Sequence, residues 1–311
     1  MSELILQTRE LTRRYGHTLA LDRVSLSVEK GQILGLVGRN GAGKTTLIRL
    51  ISGQSRPTSG GLVLFDASSP AALDRARSRT GVMVETPAFY PYLTAQQNLE
   101  YYRIQRGIPG QNCVDEALEL VRLTRAGNKK FKTFSLGMKQ RLGLALALMN
   151  QPEFLLLDEP INGLDPEGIV EFRELLLRLN RERQTTILIS SHILSELSAL
   201  ATHYAFIDQG CMLETISAAD LRERCRDCLE LRVDDAARAA RVLEEQLGTR
   251  DFEVLPQERL RLYAFLDHPQ TVNRVLIEEG VGLISAQQKD SNLEAYFLAL
   301  IDGHSAGKEG A

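Results

Sequence analysis

Hydrophobic and polar residues alternate strictly near the start of the chain. Val24, Leu26 and Val28 are apolar, whereas the residues between them are polar. This period of two predicts a half-buried, antiparallel strand. Farther along, short apolar runs alternate with segments of helical spacing, which is typical of an α/β fold with buried parallel strands. The runs that predict these buried strands are residues 33–37, 82–84, 154–157 and 185–190.

The pattern becomes helical over residues 94–127. Thr94 is followed three positions later by Gln97, which is the spacing of a capping box at a helix start. Helical spacing resumes at Leu142 and continues to Leu148. We therefore predict a helical subdomain over about residues 86–150, attached to the α/β core and its antiparallel β subdomain within residues 1–220.

The composition changes near Ser217, and a second, smaller domain is predicted over residues 221–302. Its pattern gives the order β-α-β-β-α-β between residues 229 and 286, which is the ferredoxin-like order of an α+β domain. The Ser291-x-x-Glu294 spacing predicts a last helix, and residues 303–311 are predicted to be a disordered tail. A packing or dimerisation appendage and a ligand-sensing unit both fit this domain.

Composition and charge exclude several classes of protein. The 311 residues suit about two domains, with 43% hydrophobic and 25% charged residues. The formal net charge of −3 gives no basic field for nucleic acid. No apolar run approaches the roughly 18 residues that cross a bilayer, and the first residues do not resemble a signal peptide. A cytoplasmic location is therefore predicted.

Residues 38–45 read G-x-x-x-x-G-K-T and stand between an apolar run and a helical segment. Strand, glycine loop and helix together point backbone N–H groups at phosphate oxygens, and this context disfavours a chance glycine turn. Lys44 is predicted to reach the outer phosphates, and the Thr45 hydroxyl to bind Mg²⁺. The residues predicted to bind nucleotide here are Gly38, Asn40, Gly41, Gly43, Lys44, Thr45 and Thr46.

An acid pair ends the apolar run at residues 154–157. Asp158 can hold Mg²⁺ opposite the glycine loop, and Glu159 can deprotonate an attacking water. A pair of acids that merely caps the helix after Pro160 is the alternative, which the upstream P-loop disfavours. His192 lies just past another apolar run and should face the same edge of the sheet.

Two further positions suit nucleotide contacts. Tyr15 precedes Lys44 and offers an aromatic face for a base, although a lone tyrosine also serves as core or surface filler. Ser135 and Gly137 stand at a predicted helix start, where unpaired N–H groups can bind an anion.

Taken in order, these motifs resemble those of ATP-binding-cassette ATPases over about residues 4–220. Ser135 to Gln140 are similar to the signature motif, although Phe134, Leu136 and Met138 replace the usual residues. Residues 162–165 resemble the D-loop, and Glu85 occupies the place of the usual Q-loop glutamine. The residues around Glu85, in the signature motif and at the C-terminal end resemble those of the bacitracin-resistance and lantibiotic-immunity branch.

The resemblance implies a mechanism and partners. Two copies, or a pair of cassettes, would close head-to-tail over two ATP molecules, and each ATP would meet Ser135 and Gly137 of the other copy. A separate membrane permease, bound at the inner face of the membrane, would export a peptide antibiotic or other amphipathic compound. The implied catalytic residues are Glu159, His192 and Lys44, and the implied Mg²⁺ ligands are Thr45, Glu85 and Asp158.

Three alternatives remain open. An importer ATPase would use the C-terminal domain to sense a ligand. A cassette protein of DNA repair or translation usually carries coiled coils or a second cassette, and the sequence shows neither. A purely regulatory nucleotide binder is disfavoured by the presence of Glu159 and His192.

Overall fold

The structure is a computed structural model that describes residues 3–84, 88–110, 112–289 and 293–309. Its contacts divide the chain into two compact units, Met1–Ala218 and Ala219–Ala311. The sequence prediction had placed this division after residue 220. Among the described residues, no helix combines the length and the apolar character needed to cross a bilayer.

The first unit contains nine strands and seven α-helices in the described residues, with two short 3₁₀ helices at Thr124–Ala126 and Phe131–Thr133. Its strands are β1 (Leu4–Tyr15), β2 (Thr18–Glu29), β3 (Ile33–Val37), β4 (Ser59–Leu64), β5 (Thr80–Met83), β6 (Phe154–Asp158), β7 (Thr186–Ser191), β8 (His203–Asp208) and β9 (Cys211–Ser217). Its helices are α1 (Lys44–Ile51), α2 (Pro70–Arg77), α3 (Ala95–Gln105), α4 (Asn112–Leu120), α5 (Leu136–Leu148), α6 (Pro166–Arg183) and α7 (Leu194–Ser198).

The larger sheet has the order β5-β6-β7-β3-β8-β9, and all its strands are parallel except β9. Every residue of β3, β6 and β7 is buried, which explains why these strands are mainly apolar rather than alternating, with polar residues at the ends of β6 and β7. Because β6, β7 and β3 are neighbours and parallel, the segments that follow them meet at one edge of the sheet.

The smaller sheet of the first unit is antiparallel, with the order β2-β1-β4. Val24, Leu26 and Val28 are buried on one face of β2, and the polar residues between them point outward, as the alternation predicted. The buried face contacts a core that includes Leu47 and Ile48 of α1. This core attaches the β subdomain to the helix that follows the glycine loop.

Helices dominate residues 95–148, as predicted. Thr94 caps α3 by accepting from the Gln97 backbone, and the Gln97 side chain accepts from the Thr94 backbone, so the predicted capping box is present. Ser135 is the residue before α5, and its hydroxyl accepts a hydrogen bond from the Met138 backbone. The sequence after Ser135 therefore begins a helix whose remaining N–H groups point toward solvent or a ligand.

The second unit begins within α8 (Ala218–Arg224) and has a four-stranded antiparallel sheet of order β11-β12-β10-β13. Its other elements are β10 (Cys228–Val233), α9 (Ala236–Gln246), β11 (Phe252–Leu255), β12 (Arg259–Leu262), α10 (Pro269–Glu278), β13 (Leu283–Lys289) and α11 (Leu293–Glu309). The helices α9 and α10 pack on one face of the sheet over a core that includes Leu231, Leu243 and Leu276. The predicted β-α-β-β-α-β order is confirmed.

The last helix differs from the prediction. The helix α11 continues to Glu309, so residues 303–309 are helical, and the prediction of a disordered tail is wrong for them. Once a helix is nucleated, each further residue adds one hydrogen bond for the residue that becomes ordered, so a helix can extend past Gly303. The predicted capping residue Ser291, and residues 310–311, lie outside the described residues.

Candidate functional site

The loop between β3 and α1 forms one wall of a cavity of about 380 Å³. Gly41 and Gly43 have φ values of 81° and 108°, a region that side chains other than glycine rarely adopt. A Cβ at Gly43 would lie 2.8 Å from the Ala20 carbonyl oxygen, so the close approach of β2 also requires glycine. The cavity is lined by Thr18, Leu19, Ala20, Asn40, Gly41, Ala42, Gly43, Lys44, Thr45, Thr46, Glu159, Gln209 and Gly210.

Lys44 begins α1 and is only 4% exposed. Its ammonium donates to the carbonyl oxygens of Gly38 at 2.7 Å and Arg39 at 3.2 Å, and it pairs with Glu159 Oε1 at 3.2 Å. A buried charge needs such partners because transferring it out of water costs free energy. The sequence predicted the position of this cation but not its partners in the loop and directly after β6.

Asp158 is held between two hydroxyl groups. Thr45 Oγ1 donates to Asp158 Oδ2 at 2.6 Å, and Ser190 Oγ donates to Asp158 Oδ1 at 2.6 Å. Ser190 also accepts a hydrogen bond from the Glu159 backbone at 2.9 Å. The sequence analysis did not include Ser190 in the site. Its one signal was a polar residue near the end of an apolar run, and the β6–β7 register places it opposite Asp158.

Glu159 follows β6 with a φ of 45°, in the left-handed region. Its Oε2 accepts from the Asn162 amide and lies 3.1 Å from His192 Nδ1, while its Oε1 faces Lys44. Partial burial raises the pKa of Glu159, but hydrogen bonds from Lys44 and Asn162 and the charges of Lys44 and His192 outweigh it, so this pKa lies below its usual value. The carboxylate is therefore ionised and available as a proton acceptor.

The oxygen atoms around Asp158 fit a magnesium ion better than a softer metal. A hydroxyl and a carboxylate, completed by phosphate oxygens and water, are the ligands that Mg²⁺ prefers. The described residues contain no group of three or more His, Cys, Asp or Glu side chains placed to hold a metal by themselves. The predicted ligand Glu85 lies outside the described residues.

Six of the predicted residues that the structure describes do not line the cavity: Tyr15, Gly38, Ser135, Gly137, Asp158 and His192. Gly38, Asp158 and His192 nevertheless contact the lining residues Lys44, Thr45 and Glu159, respectively. Tyr15 is 43% exposed, and its hydroxyl lies 3.2 Å from Ser55 Oγ while the Arg13 guanidinium covers one face of the ring at 4.3 Å. Ser135 and Gly137 lie at the start of α5 and are not among the lining residues. The structure thus assembles Lys44, Thr45, Asp158, Glu159 and His192, and leaves the signature residues apart.

The sequence of this chain is similar to that of known proteins. The family model described as "ABC transporter" matches residues 21–162. The chain is 41% identical over 303 residues to the bacitracin transport ATP-binding protein BcrA of Bacillus licheniformis, covering 97% of this chain and 99% of BcrA. The chain belongs to the ATP-binding proteins of ABC transporters. This family binds ATP and hydrolyses it, so the protein is an ABC ATPase, as its motifs predicted.

Other matches agree with this ABC ATPase assignment. The lantibiotic transport ATP-binding protein SrtF of Streptococcus pyogenes is 38% identical over 206 residues, 66% of this chain and 88% of SrtF. The predicted resemblance to the bacitracin and lantibiotic branch is therefore confirmed. The dimeric, post-hydrolysis structure of the cassette MJ0796 with ADP and phosphate has a TM-score of 0.63 and 24% identity, covering 68% of this chain and 98% of MJ0796. That likeness shows the cassette fold.

Proposed function

We propose that this ABC ATPase binds MgATP in the cavity of the glycine loop and uses Glu159 to activate the attacking water. The observation that carries the proposal is the convergence of a buried ammonium and a carboxylate, Lys44 Nζ and Glu159 Oε1, at 3.2 Å beside the Thr45–Asp158 pair. A phosphate chain needs such a cation, and hydrolysis needs such a base.

The neighbouring groups have distinct tasks in this mechanism. The N–H groups of the loop and of the first turn of α1 face the phosphates, and Lys44 exchanges its carbonyl and carboxylate partners for phosphate oxygens. Thr45 and Asp158 would hold Mg²⁺, which neutralises charge on the phosphates. Glu159 accepts the proton of the attacking water, and His192 stays beside Glu159 Oε2 and stabilises charge near the reacting phosphate.

The second half of each ATP site comes from another copy or from a paired cassette. Ser135 and Gly137 do not line the loop cavity of their own chain, yet they stand where a helix start offers free N–H groups. A head-to-tail pair brings these groups to the outer phosphate of the partner's nucleotide. ATP binding then joins two surfaces that neither copy completes alone. Tyr15 has one open ring face for the base.

A separate membrane permease is the second partner, and it places the protein at the inner face of the membrane in the cytoplasm. The start of the helical region exposes four large side chains, and the rings of Tyr90 and Tyr101 meet with their centroids 4.9 Å apart. Exposed aromatic residues in a cluster favour a protein interface over water. These side chains are Tyr90 at 46%, Tyr92 at 72%, Tyr101 at 41% and Ile104 at 64% exposure.

We infer that the transported compound is a peptide antibiotic or a similar amphipathic molecule, exported from the cell or the membrane. Relatives named for bacitracin and lantibiotic transport support this choice. An importer with a ligand-sensing C-terminal unit finds no support among them. Deleting the gene in its own host should lower the inhibitory concentration of bacitracin or a lantibiotic. Unchanged concentrations for a panel of such peptides would contradict the cargo.

The ATPase proposal is tested on the purified chain. Phosphate release from ATP should require Mg²⁺ and should stop when EDTA removes the metal. Release should also rise more steeply than in proportion to protein concentration, because two copies form the site. Phosphate release without a metal would contradict the proposed Mg²⁺ site. A rate per chain that does not change with protein concentration would contradict assembly of the site from two copies.

A further inference from the structure

The Asn162–Asp165 turn, which follows Glu159 after two residues, folds back over the end of β6. The Asn162 backbone donates to the Glu159 carbonyl oxygen at 3.3 Å, and the Leu164 backbone donates to the Ile161 carbonyl oxygen at 3.2 Å. This compact turn places the Asn162 amide against Glu159 Oε2, to which it donates a hydrogen bond. Asp165 then caps α6 by accepting from the Gly168 backbone at 3.0 Å.

The two oxygen atoms of Glu159 have different partners. Oε1 faces Lys44, whereas Oε2 faces Asn162 and His192. When phosphate oxygens bind Lys44, the contact between Lys44 and Glu159 Oε1 is lost. The contacts of Oε2 with Asn162 and His192 do not involve Lys44. The Glu159 side chain is 23% exposed, and the Glu159 backbone is in the left-handed region. The backbone conformation alone therefore allows several rotamers of this side chain.

A second pair of contacts holds the turn itself. Gly163 has a φ of 78°, and a Cβ at this position would lie 2.2 Å from Leu136 Cδ2 of α5. Conversely, a Cβ at Gly137 would lie 3.3 Å from Leu164 Cδ2. Each leucine therefore occupies the space that a glycine leaves on the other segment. Leu136 is also one of the three residues that depart from the usual signature motif.

We propose that Asn162 is a positioning residue for Glu159, and that the Leu136–Gly163 contact keeps the Asn162 amide on the carboxylate. The inference rests on the proposed role of Glu159 as the base. It adds that the base is oriented by a donor on the turn, and that the signature end of α5 supports this donor through packing rather than through a polar contact.

The first test replaces the donor while keeping the nucleotide contacts. Asn162→Ala should lower kcat about tenfold or more, because a hydrogen bond to a charged group is lost, and leave KM for ATP within about twofold. The isosteric Asn162→Asp should lose at least as much, since it replaces the donor by a like charge. Asn162→Gln retains an amide and should recover part of kcat.

A matched control and a double variant separate positioning from general damage. Asn150 is exposed and donates to the Ser78 carbonyl oxygen away from the site, so Asn150→Ala should keep wild-type kcat. In a Glu159→Gln background, Asn162→Ala should cause no further loss. Wild-type kcat in Asn162→Ala and Asn162→Asp would overturn the inference while leaving ATP hydrolysis intact. An inactive wild-type chain would instead overturn the proposed function.

The packing half of the proposal has its own test. Gly163→Ala replaces the present contact with a steric clash, since its Cβ would lie 2.2 Å from Leu136 Cδ2, and should lower kcat about tenfold with KM nearly unchanged. Adding Leu136→Ala removes the Cδ2 atom and should restore part of the loss, even though the left-handed backbone strain stays. Equal rates for Gly163→Ala with and without Leu136→Ala would show that backbone strain alone acts, and would overturn the role of Leu136.

Discussion

The two units of the chain treat polar groups in opposite ways. All buried polar or charged residues of the described chain lie in the first unit, and they include Lys44, Asp158 and Ser190. In the second unit the described buried residues are apolar, Cys228 included, and its charges pair on more accessible positions such as Arg226 with Asp251. Burying polar groups is costly, so the first unit accepts more of this cost than the second unit, in which Asn273 Oδ1 is a buried polar atom without a hydrogen-bond partner.

This difference distinguishes the unit that carries the proposed nucleotide site from the unit whose buried residues form a packed core. In the first unit Lys44, Asp158 and Ser190 are buried and hydrogen-bonded beside the nucleotide cavity, of which Lys44 is a lining residue. Local conflicts of this kind are expected where function requires them. In the second unit the sheet and its two helices follow the rules of packing, with a core of leucines, valines and alanines. We therefore propose a structural role for this unit.

The largest expected effect separates the stability of the second unit from the activity of the first. Leu231 is fully buried in the second core, and Leu231→Ala should destabilise that unit by about 2–5 kcal/mol while kcat for ATP stays close to wild type. Urea unfolding followed alongside ATPase activity measures both. Ile284 is 60% exposed on the same sheet, and Ile284→Ala is the matched control. A parallel loss of kcat would contradict the accessory role.

The next effect concerns ATP affinity. Lys44→Ala removes the buried ammonium and should weaken ATP binding about 100-fold or more, because charge-assisted bonds to phosphate are among the strongest in proteins. Isothermal titration with MgATP measures the change. Lys30 pairs with Glu3 on the surface, and Lys30→Ala should bind ATP normally. Equal affinity for the Lys44 variant and wild type would remove the cavity from the account.

The sequence predicted the cation, the acids and the histidine because each motif fixes a short segment with its own geometry. It could not predict Ser190, because the contact with Asp158 depends on the register between β6 and β7, and the two residues are 32 positions apart in the chain. The Lys44–Glu159 pair likewise depends on side-chain conformations in the folded chain. Local helix signals placed α3 well, yet the end of α11 was missed because helix extension is a weak, cooperative preference.

Substitution of Ser190 should have an intermediate effect on stability and on the Mg²⁺ requirement. Ser190→Ala leaves the buried Asp158 Oδ1 and the Glu159 backbone N–H without their partner, which should cost the first unit about 1–3 kcal/mol. The same change should raise the Mg²⁺ concentration needed for half-maximal ATPase activity. Ser198 is exposed and bonds within α7, so Ser198→Ala should change neither quantity. An unchanged metal requirement in Ser190→Ala would argue against its support of Asp158.

The smallest effect tests the paired charges of the second unit. The Lys289 hydrogen bond lowers the pKa of Glu230, with burial opposing and Arg261 assisting. A lowered folded-state pKa gives stability that is present above the unfolded pKa and is lost as pH falls through the folded value. Glu230→Gln should therefore reduce the acid sensitivity of this unit, by less than about 1 kcal/mol. Urea midpoints at pH 7 and pH 3 measure it, with exposed Glu245→Gln as control. Identical acid sensitivity in wild type and Glu230→Gln would contradict this pairing.

The central claim is that Glu159 activates water while Lys44 and its loop bind the nucleotide. The most direct measurement follows ATP binding and phosphate release in Glu159→Gln on the same preparation. Because the amide accepts no proton but keeps the shape of the side chain, ATP affinity should be retained and phosphate release should fall by about 10²–10⁴-fold. Wild-type phosphate release in Glu159→Gln would contradict the account.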